Sequence, residues 1–236
     1  MFIGVPIYKI NYDFFNKDSE EYWYYAGFIA SDGYISDERI ELCLNKKDEE
    51  ILKRFQKLIS PDKPIYDKQS THSKKFTVHS KEVAKHFKEL FSMTTNNKHK
   101  EMQFPDVPDK YLKHFVRGLM DGDGCIDFTK GYRQFESYKK IYVGTRLRIL
   151  GNYHFLQEMI TRISKQVPNN TRKVSKKGRE NVWYITYNFK IADRILNWMY
   201  QDATIYLKRK YKKYKEVIER KHEEIVYSHS DNTINC

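Results

Sequence analysis

One nine-residue pattern occurs twice in this chain, 91 residues apart, and it constrains the fold more than any other feature. Tyr25-Ala26-Gly27-Phe28-Ile29-Ala30-Ser31-Asp32-Gly33 aligns with Val116-Arg117-Gly118-Leu119-Met120-Asp121-Gly122-Asp123-Gly124. Each copy is an apolar run with a glycine inside it, closed by Asp-Gly and followed by a strand-like segment. A glycine within a helix costs about 1 kcal/mol relative to alanine. Close approach of another backbone is its usual compensation. Gly27 and Gly118 are therefore expected at a helix–helix interface. Such pairing brings Asp32 and Asp123 together at two helix C-termini, where the dipole is negative and like charges repel. The arrangement needs counter-charge, and carboxylate oxygens suit a hard divalent cation such as Mg2+.

A single Asp-Gly is an ordinary turn; recurrence in the same helix-to-strand context points past that. A calcium loop is excluded by spacing. Asp121-Gly122-Asp123-Gly124-Cys125 has no further ligands at alternate positions followed by a distal Glu, and Asp127 alone does not supply them.

The order of elements repeats as well. Asp18 and Glu21 suggest a capping box before the first apolar run, which Gly33 ends. Arg39 to Leu44 alternates as a strand, 48–59 and 81–91 carry helical apolar spacing, and KPIYDKQ and KKFTVHS read as a strand pair. Thr94 to Asp109, with Pro105 and Pro108, reads as a linker. Then 109–121 is helical, Cys125 to Phe128 and KKIYVGTRLRI are strands, 152–163 is helical, KVSKK and NVWYITYNF frame a hairpin, and ADRILNWMY is helical. Each half reads αββαββα, so the fold class is α+β with a pseudo-twofold pair of similar domains. A period near ninety residues is too long for a solenoid. The expected halves are 1–104 and 105–227, with 203–224 a basic C-terminal helix and 228–236 a flexible tail.

Charge bears on partners. The chain has 236 residues and a formal net charge of +12. Dispersed positive charge suits a nucleic acid, and a lysine-rich solvated surface would give the same count. Cys43, Cys125 and Cys236 are far apart and odd in number, against a disulfide framework or a CxxC zinc site. The N-terminus has no basic region before an apolar core, and no apolar run reaches eighteen residues, so an intracellular, non-secreted protein is expected. His72, His79, His86, His99 and His114 are scattered singly, and no phosphate-binding glycine loop is present.

YAGFIASDG and VRGLMDGDG resemble the two copies of the signature of the LAGLIDADG homing endonucleases in their single-chain, pseudo-dimeric form. The resemblance spans about residues 20–215. The first copy departs from the signature at Tyr25 and at Ala30, where an acid often stands; both copies keep the final acid. The resemblance implies two saddle-like antiparallel sheets and a site-specific double-strand DNA endonuclease that leaves 3′ overhangs. It implies Mg2+ held by Asp32 and Asp123, with Mn2+ as a substitute and Ca2+ as a non-cleaving ligand. The implied partner is a long duplex bound by a monomer acting as a pseudo-dimer, in an intron-encoded or free-standing enzyme. An intron RNA maturase, or a non-cleaving DNA-binding protein of the same fold, is the alternative.

Residue by residue, the resemblance implies a basic auxiliary in each half. Lys98 is the closest match in the first, with Lys100 second; Lys210 is favoured in the second, with Lys208 close behind. Lys46 stands where a polar residue precedes the helix after the first hairpin, and its counterpart near Gly151 or Asn152 is not clearly matched. Strands near 34–44 and 65–79 would read one half-site through Arg39, Glu41, Lys68, Gln69 and Lys75. Strands near 125–150 and 171–187 would read the other through Arg133, Gln134, Arg146, Arg148, Arg172, Lys173 and Lys176.

Overall fold

The repeat seen in the sequence is a repeat of structure. The structure, a computed structural model, describes residues 8–16, 19–134, 136, 138–170, 172–178, 182–220 and 224–228. The first half runs α1 (Glu20–Asp32), β1 (Gly33–Ile35), β2 (Arg39–Asn45), α2 (Glu49–Ile59), β3 (Tyr66–Lys68), β4 (Ser73–His79) and α3 (Lys81–Leu90). A short helix, α4 (Lys98–Glu101), interrupts the segment expected to be a plain linker. The second half runs α5 (Asp109–Gly122), β5 (Cys125–Gln134), β6 (Tyr138–Gly151), α6 (Tyr153–Gln166), β7 (Ser175–Lys177), β8 (Val182–Asn188) and α7 (Phe189–Tyr200), then α8 (Lys208–Glu219) and β9 (Glu224–Ser228). The fold is α+β, with the αββαββα order in both halves and two antiparallel sheets ordered β1-β2-β4-β3 and β5-β6-β8-β7.

Strand alternation places the core. In β2, Ile40, Leu42 and Leu44 are buried while Arg39, Glu41 and Cys43 between them are half-open. Ile126, Leu147, Ile149, Ile185 and Tyr187 do the same for the second sheet. Each sheet thus packs one face on helices and leaves the other polar.

Three local expectations need correction. Ser19, not Asp18, caps α1: its hydroxyl accepts the Tyr22 N–H at 3.0 Å, while Asp18 lies outside the described residues. The basic C-terminal helix covers 208–219 rather than 203–224. Its start is set at Leu207, whose N–H is taken by Asp121, and the chain returns as β9 along β6, pairing Tyr142 with Glu224. The expected tail over 228–236 lies, after Ser228, outside the described residues. Among the described residues no helix is long and apolar enough to cross a membrane.

Candidate functional site

The site begins where α1 and α5 pack backbone on backbone. A β-carbon on Gly27 would stand 2.0 Å from the carbonyl oxygen of Phe115, and one on Gly118 would stand 2.0 Å from that of Tyr24. The two clashes mirror each other, because Tyr24 and Phe115 are also 91 residues apart. Glycine is required at both positions.

This close packing carries Asp32, the last residue of α1, to Asp123, which caps α5. Their carboxyls share a hydrogen bond. Asp32 keeps an open surface, but dense protein around its carboxyl, and then the charge and hydrogen bond of Asp123, push it up to about 6 against the pull of Lys98 and Arg209. Gly122 lets the helix ends come this close: a β-carbon there would stand 2.0 Å from Ser31 Oγ and 3.3 Å from Asp32 Oδ2.

Of the four candidate lysines, two reach this centre. Lys98 Nζ donates to the carbonyl oxygens of Gly33 at 2.7 Å, Ile29 at 3.4 Å and Ser31. Lys210, buried, donates to the carbonyl of Gly124. Gly33 and Gly124 are equivalent positions of the repeat, so the lysines are too. Burial brings Lys98 down to about 8, against the pull of Asp123 and Asp32; burial likewise lowers Lys210. Lys100 is exposed, and Lys208 points away to Glu50 at 2.5 Å. A pocket of about 230 Å³ beside the centre is lined by Ser31, Lys98, Asp123 and Asn152 among others.

Two polar residues that the sequence reading passed over hold the second lysine in place. Arg117 is fully buried, donating from Nε to Ile205 O at 2.9 Å, from Nη1 to Met199 O at 2.7 Å and from Nη2 to Glu20 at 2.6 Å. Burial raises the pKa of Glu20, but the hydrogen bond of His114 and the charge of Arg117 outweigh it and hold the carboxyl at about 2. Asp121, also fully buried, accepts from Tyr24 Oη at 2.8 Å, from Leu207 N at 2.7 Å and from Tyr200 Oη. Burial pushes it up to about 6 even with those donors. The available signal was charge inside an apolar helix, at positions where the first copy has Ala26 and Ala30.

The candidate DNA contacts divide by sheet face. Arg39, Glu41 and Lys75 share the open face of the first sheet, Glu41 accepting from Thr77 and pairing with Lys75 at 3.5 Å. Lys68 joins that face, opposite Ser73, and Gln69 is exposed just beyond it. Lys46 does not join: it pairs at 3.0 Å with Asp67, whose register partner Lys74 lies on the helix side. Register makes Tyr153 the counterpart of Lys46, and Asn45 that of Asn152; each of these asparagines accepts a main-chain N–H at the start of a helix. In the second sheet Arg146 and Arg148 lie on the open face, Arg146 held bidentate by Asp127 at 2.7 and 2.6 Å. Arg133 is on β5; its side chain lies outside what is described. Gln134 follows on the opposite face by alternation, and Lys176 is registered with core-side Trp183. The charge of Arg172 acts on buried Tyr187, whereas Lys173 is exposed.

No protein-family model and no curated protein matches the sequence. Solved structures do match. The LAGLIDADG homing endonuclease I-LtrWI, bound to target DNA, aligns over 88% of this chain and 89% of its own at 15% identity, with a TM-score of 0.58. I-SmaMI, a LAGLIDADG homing endonuclease bound to cleaved DNA, aligns over 83% and 87% at 13% identity, TM-score 0.54. I-DmoI in complex with DNA and Ca aligns over 84% and 97% at 15% identity, TM-score 0.51. The chain has the fold of the LAGLIDADG homing endonucleases, with both halves in one polypeptide.

Proposed function

We propose that this chain is a site-specific double-strand DNA endonuclease that uses divalent metal at Asp32 and Asp123. The observation that carries the proposal is the mirrored centre: two touching carboxyls on a glycine-packed helix pair, each half adding a lysine on the same carbonyl of the repeat.

The residues present fit a hard divalent cation. Asp32 is raised by burial and by its neighbour Asp123, and a cation would relieve the same repulsion. Among the described residues no group of three His, Cys, Asp or Glu side chains could hold a metal by itself. Two carboxylates leave further positions to water and to phosphate oxygens, which is how Mg2+ is commonly held beside phosphates. The structural neighbour I-DmoI carries Ca together with DNA. When bound, such ions activate water and offset charge on the phosphate under attack.

The chain's own groups do the rest. Lys98 and Lys210 put positive charge next to the acids without forming tight ion pairs with them, because the ammonium groups are tied to carbonyls. At about 8, Lys98 Nζ can hold or release a proton close to neutral pH. Arg39, Lys68, Lys75, Arg146 and Arg148, on the open sheet faces, serve phosphate and base-edge contacts. The two halves then face the two strands of one long duplex, and a single chain suffices.

The test is cleavage of a library of random duplexes in Mg2+ by the full chain, with sequencing of the ends. A recurring site cut in both strands, with 3′ overhangs, is the expected result. Asp32→Asn and Asp123→Asn should each abolish double-strand cutting while the selected duplex is still bound. Unchanged double-strand cleavage in both variants would sink the metal assignment.

A further inference from the structure

The halves differ most in the first hairpin of each sheet. In the first half Tyr34 is paired with Glu41; in the second, the equivalent Cys125 is paired with Arg148. Those partners are seven and twenty-three residues apart, so the second hairpin is longer by sixteen residues. The first turn, Ser36-Asp37-Glu38-Arg39, carries two acids and one base and is tied down by Asp37 to Lys88 of α3. The arm at 127–146 carries five bases and two acids.

The arm is built to hold a position. On one face Phe128 lies under Lys213 and Arg220, at 5.6 and 4.4 Å from the ring centre. Along its edge, β9 pairs with residues 138–142. On the other face sits Phe189, at a left-handed φ of 53° that an aromatic residue rarely adopts. A β-carbon on Gly144 would stand 2.2 Å from this ring, and one on Gly131 would stand 2.7 Å from it. Two glycines therefore make the bed for one strained aromatic. Gly144 is two residues from Arg146 and Gly131 four from Asp127, so by alternation the ring lies on the open face that carries that ion pair.

We propose that this arm, positioned by Phe189, reads a stretch of duplex on the second side of the site that the first half cannot reach. The inference rests on the DNA-endonuclease reading above. β5 has ten residues against three in β1. Seven extra residues at ~3.4 Å extend the surface by ~24 Å, about seven base pairs of duplex at most. The bound site is consequently lopsided, and its outer tract on one side is specified by residues 127–146. Phe189 is a positioning residue: it sets where the arm lies rather than acting on the bond that is cut.

The experiment selects random duplexes with the full chain, Ca2+ replacing Mg2+, and sequences the bound pool. The expected consensus extends further on one side of its centre, by about five to seven base pairs. Wild type should bind this duplex at least about tenfold tighter than one with the outer tract scrambled. Phe189→Gly, which relaxes the left-handed backbone and removes the bracket, should bring that ratio near one without changing affinity for the scrambled duplex. Phe189→Tyr should keep the ratio. Should Phe189→Gly not fold, Lys140→Glu, on the open face of the arm by alternation from Arg146, is expected to collapse the same ratio. Tracts of equal length overturn this inference alone, as does a ratio unchanged in Phe189→Gly or in Lys140→Glu. No duplex retained even at low salt overturns the DNA reading and this inference with it.

Discussion

The two halves arrive at one centre by different means. In the second, the segment that delivers Lys210 is pinned from inside the protein: Arg117 takes the carbonyls of Met199 and Ile205, and Asp121 takes the N–H of Leu207. In the first, the segment that delivers Lys98 is pinned at the surface. There Glu101 is held at about 2 by the hydroxyl of Thr95 and by the main-chain N–H groups of Thr95 and Thr94. Ala26 and Ala30 occupy the positions that Arg117 and Asp121 fill in the other copy. What stays equal is the contact of each lysine with Gly33 or Gly124. The difference shows where the repeat is constrained, namely at the glycines, the acids and the lysine–carbonyl contacts, and where each half has found its own scaffold.

That comparison breaks most visibly at Arg117. Arg117→Met leaves the carbonyls of Met199 and Ile205 buried without their donor and takes from Glu20 its guanidinium partner, a loss of about 3–5 kcal/mol. Denaturant unfolding should show it, with a reduced cutting rate from a displaced Lys210. Glu101→Gln in the first half should give a far smaller shift in the unfolding midpoint, since its bonds are exchanged for water. Equal losses would mean that the first half has a buried brace after all.

A second pair of variants tests the part that is symmetric. Gly27→Ala and Gly118→Ala each drive a methyl into a backbone carbonyl at 2.0 Å. Backbone cannot move aside as a flexible side chain can, so each should cost about 1–3 kcal/mol. The two thermal shifts should agree closely, and both variants should lose cleavage as Asp32 and Asp123 separate. A marked difference between them would show that the helix pair is not equivalent in its two directions.

The sequence carried the symmetric features well and the asymmetric ones poorly. Gly27, Gly118, Asp32 and Asp123 were legible because a repeat at constant offset exposes whatever both copies retain. Lys98 and Lys210 were favoured over Lys100 and Lys208 only through the family resemblance, because what separates them physically is tertiary contact with Gly33 and Gly124. The strand expected at Cys125 to Phe128 runs on to Gln134, through Gly131, which with Gly144 is the floor under Phe189. β9 was hidden in a lysine- and glutamate-rich stretch whose helical propensity is overridden by pairing with the edge of β6. Lys46 and Lys176 look like surface lysines of a reading face, and register alone sends them to the other side.

The smallest effect concerns the centre itself. Asp32 is held at about 6, above the 3.8 of an ordinary aspartate, by burial first and by Asp123 second. A raised carboxyl binds its proton more tightly in the folded chain than in the unfolded one. Its stabilising contribution is therefore complete below the unfolded value and is lost as pH rises through about 6. Asparagine does not ionise, so without divalent cations Asp32→Asn should melt above wild type at pH 8, by on the order of 1 kcal/mol once solvent screening is allowed for. The gain should shrink towards pH 5. Added Ca2+ should reverse the order, stabilising wild type by binding the folded chain and leaving the variant behind. A cation-free Asp32→Asn that melts below wild type at pH 8 would show that the two acids are not strained against each other, and that the centre has no repulsion for a metal to relieve.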